Sequence, residues 1–432
     1  MNITVVGTGY VGVVTAACFA EFGLQVVGVD KDDAKIDLLQ KGQVPFFEPG
    51  LEEMVRRNMR EDRLAFSTDL KAAVEKSLVI LIAVGTPLGD GGAADLGSVK
   101  EVVLGIARCM NGYKVIVTKS TVPMGTGAMI RGLIEGNQSQ NVPFSVASNP
   151  EFLREGAAIE DFMRPNRVVI GAEDPQAIAI MKDLYKPLFL IETPFVITNV
   201  VSAEMIKYAS NAFLATKISF INEIARLCEA VGADVHEVAR GMGLDNRIGR
   251  KFLHPGPGFG GSCFPKDTHA VVKMAGERGV PARIVQAAIE VNRHQVGWMV
   301  EKITRAVGGL KGRTIACLGL SFKPNTSDTR DSPAIRIIQE LLKGGARVRA
   351  YDPAAMQEAR HALPDVAFAE DAYDAARGCD ALVIVTEWNQ FRSLDWERIK
   401  TTLNSPTVVD LRNVYEPDQM KRLGIAYTGV GR

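Results

Sequence analysis

The chain has 432 residues, of which 47% are apolar and 23% charged, as in an ordinary globular protein of two or three domains. Basic and acidic residues balance at 50 each, so nothing points to a nucleic acid or an anionic membrane as a partner. No apolar run reaches the ~18 residues of a membrane span, and the first residues lack the pattern of a signal peptide. We therefore expect a cytoplasmic protein in a reducing compartment.

The first predicted unit is a strand, a glycine-rich turn and a helix. Residues 2–6 form an apolar run that leads into GTGYVG, and a second strand, QVVGVD, ends at Asp30. This order is typical of a dinucleotide-binding Rossmann turn, whose glycines let the pyrophosphate approach the backbone. The carboxylate of Asp30 would bind the ribose hydroxyls and favour NAD over NADP. The alternative is a glycine turn that serves packing alone. The residues assigned to this NAD site are Gly7, Gly9, Tyr10, Val11, Gly12, Asp30 and Lys35.

Two further buried strands are predicted within residues 77–87 and 113–123, and each ends in hydroxyl side chains and a proline. In a doubly wound sheet, ligands lie beyond the carboxyl ends of the strands. Thr86 and Thr121 are therefore candidates for contact with cofactor or substrate. Ordinary turn chemistry is the alternative for both.

A third such strand begins the sequence FSVASNPEFLREG, residues 144–156. Glu151 and Glu155 follow it and are four residues apart, so on a helical turn they would share one face. They are either solvated surface charges or site residues, and their place after a strand end favours a site.

A long helix is predicted from Ser202, as a plausible N-cap, to a stop at Gly232. Apolar residues cover most of its circumference, which indicates burial between domains or against a second subunit. Lys207 and Asn211 share a face of this helix, and burial would require polar partners for both. A bound polar ligand would supply them; the alternative is a lysine that reaches the solvent at the rim.

The loop GFGGSCFPKD, residues 258–267, presents Cys263 after three glycines. Pro265 suits the first turn of a following helix, and a thiol at a helix start near Lys266 should have a lowered pKa. We therefore interpret Cys263 as a nucleophile. The other cysteines lie in or beside apolar runs and read as small core residues: Cys18, Cys109, Cys228, Cys317 and Cys379. The cysteine and histidine spacings predict no disulfide framework and no metal site.

The last third of the chain repeats the first in outline. A strand, a long loop with Lys323 and Arg330, a helix and a strand that ends at Asp352 follow one another, but GxGxxG is missing. This pattern predicts a second nucleotide-binding half that takes a nucleotide other than a dinucleotide. The fold class is therefore α/β, with two Rossmann-like doubly wound parallel-sheet domains joined by a long central helix. The expected boundaries are 1–199 for NAD binding, 200–306 for the central helical region and 307–432 for the second nucleotide-binding domain.

Six motifs in this order carry a resemblance to a known family: GTGYVG, VGTP, STVP, SNPEFLREG, FGGSCFPKD and FKPNTSDTR. Together they cover essentially the whole chain, which resembles the UDP-glucose/GDP-mannose dehydrogenases. The versions SNPEFLREGAAIEDFMRPNRVVIG and FLHPGPGFGGSCFPKD resemble the UDP-glucose branch. The resemblance implies a four-electron oxidation of the sugar C6 alcohol of UDP-glucose to a carboxylate by two NAD in succession. It also implies a homodimer through the central helix.

The resemblance further implies roles for individual residues. Lys207 with Asn211 would deprotonate the alcohol and stabilise the oxyanion, and Cys263 would form a thiohemiacetal and then a thioester. Water would cleave the thioester, with Glu151 and Asp267 as proton-transfer partners, assisted by Thr121. The implied catalytic set is Cys263, Lys207, Asn211, Asp267, Glu151 and Thr121.

Two binding sets follow from the same resemblance. The residues near NAD, besides those of the glycine turn, would be Thr86, Thr121, Glu155, Lys266 and Arg330. The residues near the sugar nucleotide would be Glu151, Phe152, Leu153, Arg154, Glu155, Lys207, Asn211, Arg247, Phe252, Leu253, His254, Pro255, Gly256, Gly260 and Lys323. Within that set, Arg247 would reach the substrate of the neighbouring subunit.

Three alternatives stay open on the sequence. A two-electron hydroxyacid-type dehydrogenase would share the glycine turn and the long helix but would need no cysteine. A close relative could act on GDP-mannose or a UDP-N-acetylhexosamine. A non-enzymatic sensor of NAD and sugar nucleotides fits the intact set of Cys263, Lys207 and Asn211 poorly. The number of NADH formed per sugar nucleotide would distinguish the first and third alternatives from a four-electron oxidation.

Overall fold

The computed structural model describes the backbone of residues 1–432 and, Asp90 excepted, their side chains. The chain divides into two compact units, Met1–Ser210 and Asn211–Arg432. The unit boundary falls inside helix α9 (Val200–Val231). The three-part boundaries expected from the sequence stay a prediction.

In the described part of the first unit, eight strands form one sheet in the order β3-β2-β1-β4-β5-β6-β7-β8. The neighbours pair in parallel, except β6 and β7, which meet in an antiparallel pair. The strands are β1 (Asn2–Val6), β2 (Gln25–Val29), β3 (Leu64–Ser67), β4 (Val79–Ile82), β5 (Lys114–Thr118), β6 (Phe144–Ser148), β7 (Val168–Gly171) and β8 (Phe195–Thr198).

Helices cover both faces of this sheet, and strand β4 shows it. Its side chains alternate between two apolar cores, with Val79 and Leu81 in one and Ile80 and Ile82 in the other. A strand buried on both faces reads as a continuous apolar run, which is why the sequence signal here was clear. The helices of this unit before α9 are α1 (Tyr10–Glu21), α2 (Asp33–Gln40), α3 (Leu51–Arg60), α4 (Leu70–Lys76), α5 (Gly97–Cys109), α6 (Thr126–Asn137), α7 (Ala158–Met163) and α8 (Pro175–Leu184).

The second unit contains a parallel sheet with the order β11-β10-β9-β12-β13-β14 across its described strands. Strand β12 again alternates between two cores, with Ala381 and Val383 in one and Leu382 and Ile384 in the other. The strands are β9 (Thr314–Leu318), β10 (Arg347–Tyr351), β11 (Ala367–Phe368), β12 (Ala381–Ile384), β13 (Thr407–Asp410) and β14 (Ala426–Thr428). The predicted class, two doubly wound α/β domains, is confirmed.

After α9, the described part of the second unit contains eight α-helices. They are α10 (Val235–Gly243), α11 (Phe264–Glu277), α12 (Arg283–Val307), α13 (Pro333–Lys343), α14 (Met356–Ala362), α15 (Ala372–Ala376), α16 (Trp396–Thr402) and α17 (Pro417–Arg422).

Helix α9 is the predicted long helix, but its start differs from the expectation. The side chain of Asn199 accepts a hydrogen bond from the backbone N–H of Ser202 at 2.7 Å, so Asn199 performs the capping and Ser202 lies inside the helix. Two residues in the same short stretch could cap, and the sequence alone favoured the wrong one. The helix ends before Gly232, whose φ of 75° suits the expected stop.

Across the part of the chain that the structure describes, no helix combines the length and the apolar character that crossing a membrane requires.

Candidate active site

The glycine turn between β1 and α1 contains two glycines that packing requires and one that it does not. Gly7 has a φ of 100°, and a Cβ on Gly12 would lie 1.8 Å from the carbonyl oxygen of Gly7. A Cβ on Gly9 would meet no described heavy atom within 4 Å. Packing therefore explains Gly7 and Gly12, whereas Gly9 faces open space where a ligand can approach the backbone.

Asp30 follows strand β2 and closes the turn from the other side. Its carboxylate accepts hydrogen bonds from the N–H of Thr8 at 2.8 Å and the hydroxyl of Thr8 at 2.9 Å, and Lys35 lies 3.3 Å away. Burial acts to raise the pKa of Asp30, but the Thr8 hydrogen bonds and the charge of Lys35 hold it below the usual value. Asp30 is thus an anion at neutral pH, as recognition of ribose hydroxyls requires. Lys35 is committed to Asp30 in this arrangement.

Tyr10 and Glu48 join the glycine turn to the segment after β6. The hydroxyl of Tyr10 donates to the buried carboxylate of Glu48, which also accepts from the N–H groups of Gly156 at 2.5 Å and Ala158 at 2.8 Å. Sequence reasoning missed Glu48. The available signal was the position of this acid in FFEPG, between two phenylalanines and a Pro-Gly pair typical of a turn. Val11, assigned to NAD, packs against the apolar core in a partly buried position.

The ends of β4 and β5 meet as expected from parallel strands. The hydroxyl of Thr86 donates to the carbonyl oxygen of Thr121 at 2.8 Å. Thr86 is buried and Thr121 half-buried. The structure brings these two predicted residues into contact, and their roles toward ligands stay predictions.

Glu151, which follows β6, pairs with Lys207 of α9. The two side chains are buried, and the Nζ of Lys207 lies 2.8 Å from the carboxylate. Burial acts to raise the pKa of Glu151, but the charge of Lys207 and the hydrogen bonds to the carboxylate bring it below the usual value. The ammonium of Lys207 also lies 5.4 Å from the centroid of the Phe152 ring. Lys207 is therefore not a rim lysine that reaches the solvent.

The expected helical turn that would give Glu151 and Glu155 a common face is absent from this described segment, and α7 starts only at Ala158. The carboxylate of Glu151 instead accepts a hydrogen bond from the N–H of Leu153 at 2.6 Å. Local side-chain bonds of this kind compete with helix formation. The prediction of a shared helical face was wrong, because a pattern of two acids four apart does not specify the backbone between them.

The remainder of this segment is fixed by Asp161 on α7. Its carboxylate accepts from the N–H of Arg154 at 2.8 Å and from the guanidinium at 2.6 Å. Glu155 is half-buried beside it. Arg154, assigned to the sugar nucleotide, is thus partly engaged in holding the backbone of the segment.

Cys263 lies at the start of α11 in the second unit and is exposed. The hydroxyl of Ser262 lies 3.6 Å from its sulfur. Pro265 falls in the first turn of the helix, as expected. The other cysteines are buried, apart from Cys109, which is partly exposed: Cys18, Cys228, Cys317 and Cys379. This contrast matches the distinction that the sequence suggested between one reactive and several structural thiols.

Asn211 and Asp267 form a hydrogen-bonded pair in the same unit. The amide of Asn211 donates to the carboxylate of Asp267 at 2.6 Å, and the Nζ of Lys266 lies 2.6 Å from the other carboxylate oxygen. Asn211 and Asp267 are buried, whereas Lys266 is partly exposed. Asp267 lies one turn of α11 after Cys263, so the pair and the thiol belong to the same end of the helix.

The loop assigned to the sugar nucleotide is held by amide side chains that sequence reasoning missed. Asn222 of α9 accepts from the N–H of Gly256 at 2.8 Å, and Gln295 of α12 donates to the carbonyl oxygen of Gly256 at 2.7 Å. Asn292 likewise contacts both the N–H and the carbonyl oxygen of Phe259, at 2.8 and 3.0 Å. Polar residues on otherwise apolar helices were the available signal. These bonds fix the loop in one conformation.

The backbone of the loop is also strained. Phe252 has a φ of 65°, which is unusual for a bulky residue and is found at functional sites. A Cβ on Gly260 would lie 2.3 Å from the carbonyl oxygen of Asp331, so only glycine fits there. Leu253, Pro255 and Gly256 are buried, and His254 is exposed.

The remaining predicted residues of the second unit are cationic. The guanidinium of Arg330 pairs with Asp328 at 2.8 Å, and the exposed Arg247 pairs with Asp245 at 2.6 Å. The Nζ of Lys323 lies 5.2 Å from the ring centroid of Phe322. Arg412 was missed: its guanidinium would be 3.2 Å from a Cβ on Gly256, which places it against the loop.

The second sheet lacks the open carboxylate of a dinucleotide site. Asp352 follows β10 as Asp30 follows β2, but it is fully buried. Its carboxylate accepts from the N–H of Leu320 at 2.7 Å, the indole of Trp388 at 3.1 Å and the N–H of Ala355 at 2.9 Å. No room is left for a ribose at this carboxylate, in agreement with the missing GxGxxG.

Comparison with family models gives three consecutive matches. They are all to the UDP-glucose/GDP-mannose dehydrogenase family: its NAD-binding domain at residues 1–189, its central domain at 201–294 and its UDP-binding domain at 316–417.

Comparison with known proteins gives full-length relatives. The chain is 54% identical to a UDP-glucose 6-dehydrogenase of Rhizobium meliloti strain 1021, with 100% of both chains covered. A solved UDP-glucose dehydrogenase of Pyrobaculum islandicum is 40% identical with a TM-score of 0.92, covering 100% of this chain and 97% of that one. A solved UDP-D-ManNAc dehydrogenase of Pyrococcus horikoshii is 28% identical with a TM-score of 0.87, covering 100% and 99%.

The fold and the glycine turn with its acidic partner define an NAD-dependent oxidoreductase. The family's UDP-binding domain matches a later part of the same chain, and a relative matches its full length. The chain therefore belongs to the UDP-glucose/GDP-mannose dehydrogenase family.

Proposed function

We propose that the protein is a UDP-glucose 6-dehydrogenase that oxidises the C6 alcohol of UDP-glucose to the carboxylate of UDP-glucuronate and reduces two NAD. The observation that carries the four-electron chemistry is the exposed Cys263 at the start of α11. The substrate class rests on a relative of that name, 54% identical over the full length.

The first oxidation needs a base for the C6 hydroxyl. Lys207, in its neutral form, accepts the hydroxyl proton while a hydride passes from C6 to NAD, which leaves an aldehyde and NADH. Its pairing with the carboxylate of Glu151 at 2.8 Å holds the Nζ in place. Asn211 supplies an amide donor that stabilises negative charge on the oxygen.

The second oxidation needs a covalent adduct. The thiolate of Cys263 adds to the aldehyde carbon, and the oxygen takes up a proton to give a thiohemiacetal. The thiohemiacetal then gives up its hydroxyl proton and passes the remaining C6 hydrogen as hydride to a second NAD. The product is a thioester, and water attack at its carbonyl releases the carboxylate and the free thiol. Glu151, Asp267 and Thr121 are the proposed groups for the proton transfers of hydrolysis. A helix N-terminus beside Lys266 favours the thiolate.

The sugar-nucleotide alternatives have less support. The UDP-D-ManNAc dehydrogenase relative is 28% identical, against 54% for the UDP-glucose 6-dehydrogenase relative. The hydroxyacid-type and sensor readings leave the exposed Cys263 without a role. We assign the UDP-sugar to the second unit, with the Phe252–Gly256 segment, Gly260 and Lys323 as its contacts.

A homodimer is part of the proposal. Four side chains of α9 in the second unit form an exposed apolar stripe, Phe213, Phe220, Leu227 and Val231. The first three recur every seven residues, the spacing by which one helix face meets a partner. A second copy of the chain would cover this stripe, and the exposed Arg247 would then reach the neighbouring substrate. The free thiols fit a reducing compartment, so we assign the protein to the cytoplasm.

The test counts NADH. The unmodified protein should form two NADH per UDP-glucose and should lose activity to thiol alkylation, with protection by substrate. Cys263→Ser should still bind UDP-glucose and NAD but stall at the aldehyde or at a slowly hydrolysed ester, because a hydroxyl has a far higher pKa than a thiol. Cys109→Ser, which changes the partly exposed thiol of α5, is the matched control and should keep the stoichiometry.

Mass spectrometry of the stalled Cys263→Ser protein should show the sugar nucleotide attached at that position if the ester persists. A panel of GDP-mannose and UDP-N-acetylhexosamines measures the substrate preference in kcat/KM. Two NADH per UDP-glucose from Cys263→Ser at a normal rate would refute the thioester route. No NADH from UDP-glucose with the unmodified protein would refute the substrate assignment.

A further inference from the structure

A second buried lysine, Lys119, lies next to the pair of Glu151 and Lys207. It follows strand β5 directly and is only 4% exposed. Its Nζ donates to the side-chain oxygen of Asn149 at 3.0 Å and to the hydroxyl of Tyr185 at 3.1 Å. Both partners are neutral. A buried ammonium with such partners is costly unless a nearby anion compensates it.

The nearby anion is Glu151. Lys119 and Glu151 both line a cavity of about 50 Å³ in the first unit, on whose wall Asn149, Tyr185 and Arg167 also lie. Glu151 already pairs with Lys207 at 2.8 Å, so one carboxylate serves two lysines. Lys119 interacts electrostatically with both members of that pair, favourably with Glu151 and unfavourably with Lys207.

This arrangement makes the two lysines compete for protons. Burial lowers the pKa of Lys119 to about 8, the charge of Glu151 opposes that shift, and the charge of Lys207 adds to it. Coupling between two charges is reciprocal, so a charged Lys119 disfavours the ammonium form of Lys207 by the same amount. A neighbouring cation is a known means of keeping a lysine amine neutral.

We propose that Lys119 is a positioning residue for the first oxidation: its positive charge, in the cavity that it lines with Glu151, keeps Lys207 able to accept the C6 hydroxyl proton. The inference rests on the proposed function. Lys119 forms no bond in the reaction: the O–H bond of the substrate breaks, an N–H bond forms on Lys207, and the hydride goes to NAD. The proton on Lys207 is later returned to solvent.

Four other charged or titratable groups lie near Lys119 and Glu151, and the proposal treats their charges as constant. Arg167 interacts electrostatically with Glu151, and Asp161 lines the same cavity. Cys18 interacts electrostatically with Lys119, and the hydroxyl of Tyr185 accepts a hydrogen bond from it. The thiol of Cys18 and the hydroxyl of Tyr185 have pKa values raised by burial and stay neutral. Near pH 8, where Lys119 titrates, Cys18 and Tyr185 therefore do not change their charge.

The experiment replaces Lys119 and follows the pH dependence of kcat for NADH formation from UDP-glucose. Lys119→Met should move the acid limb of the profile to higher pH by about one unit or more, because Lys207 then holds its proton more tightly. Lys119→Arg keeps the charge at every pH and should leave the limb at or below the position in the unmodified protein. Lys119→Gln, which removes the charge but keeps donors for Asn149 and Tyr185, should behave like the methionine variant.

Lys114 provides the matched control. It lies at the opposite end of the same strand, is equally buried, and donates to the carbonyl oxygen of Ser77 at 2.7 Å. Burial lowers its pKa as well. Lys114→Met should affect stability but leave the pH profile unchanged, because it is not adjacent to Glu151.

An unchanged acid limb in both Lys119→Met and Lys119→Gln would overturn the proposal. The proposal would also be overturned if Lys119→Met and Lys119→Gln both failed to fold while Lys119→Arg and Lys114→Met folded. The charge of Lys119 would then be required for folding. The proposed function is tested separately on the unmodified protein: if that protein forms no NADH from UDP-glucose, the proposed function is refuted. The coupling is then measured without substrate, by NMR titration of the 13Cε signal of Lys207 in lysine-labelled protein, where Lys119→Gln should raise the pKa of Lys207 by a similar amount. No such rise would overturn the inference on its own.

Discussion

At the scale of single residues, each buried lysine in the part of the chain that the structure describes has a polar partner, and two of these lysines pair with a glutamate. Lys207 pairs with Glu151 at 2.8 Å in the first unit, and Lys302 of α12 pairs with Glu229 of α9 at 2.5 Å in the second. Both lysines are at most 7% exposed. Breaking such a pair leaves an uncompensated buried charge, so a loss of stability alone says nothing about catalysis.

This similarity supplies a prediction for Lys207. Lys207→Met should lower kcat by about 100-fold or more, the size of general acid–base and electrostatic contributions. Lys302→Met removes an equivalent pair away from the predicted catalytic set, so it should lower the midpoint of thermal unfolding but keep kcat. Steady-state kinetics and thermal unfolding of both variants check this. If Lys207→Met keeps kcat and raises only KM, the lysine binds substrate without acting in the transition state.

At the scale of elements, the strand–turn–helix at the N-terminus separates packing from ligand binding within one motif. The backbone of Gly7 requires a positive φ, and Gly12 packs against it so closely that no side chain fits. Gly9 has a φ of −74° and open space around its Cα. The fold therefore does not require glycine at position 9. We infer that the absence of a side chain there leaves space for a ligand to approach the backbone.

Two alanine substitutions test this division. Gly9→Ala should fold with an unchanged thermal midpoint, yet raise the Kd for NAD by roughly tenfold or more, because a methyl group occupies the approach of the pyrophosphate. Gly12→Ala should destabilise the protein by about 3 kcal/mol, the upper range for overpacking, because the methyl collides with the backbone of Gly7. Calorimetric NAD titration and denaturant unfolding measure the two effects. Equal loss of stability in both variants would contradict the assignment.

At the scale of the whole molecule, the same strand order recurs. The first six strands of the first sheet, β1 to β6, and the strands of the second sheet both follow the order third, second, first, fourth, fifth, sixth in chain order. Only the first has kept an accessible acid after its second strand: Asp30 is part-exposed, whereas Asp352 is enclosed by its own donors. The shared topology thus supports two different nucleotide sites, because the fold fixes the sheet edge and the side chains there decide what binds.

The proposed dimer is tested on the apolar stripe. Phe220→Asp should shift the mass in solution from dimer to monomer, because a carboxylate cannot be buried against a second copy without a partner. Leu190→Asp is the control, since Leu190 is 88% exposed but belongs to a different segment, and it should leave the mass unchanged. Sedimentation velocity on both variants is the measurement. A monomeric unmodified protein at micromolar concentration would refute the dimer.

The sequence by itself determined the sheets and the glycine turn, and it set Cys263 apart from the other cysteines. Strands such as β4 and β5 are apolar on both faces, which leaves a local signal, and GTGYVG needs its neighbours within only a few residues. The location of Cys263 among Gly, Ser, Lys and Asp is likewise local. The tertiary structure agrees with these local signals, since Cys263 is exposed and most other cysteines are buried.

Only the tertiary structure decided which side chains meet. Glu151 and Lys207 are 56 positions apart, and so are Asn211 and Asp267, and no spacing rule links either pair. The same holds for Glu48, whose carboxylate reaches amides 108 and 110 positions away, and for Lys119, which the sequence shows only as one lysine in TKSTVP. The reason is physical: periodicity and turn chemistry act over a few residues, whereas the compensation of a buried charge depends on what the folded chain brings within a few ångströms.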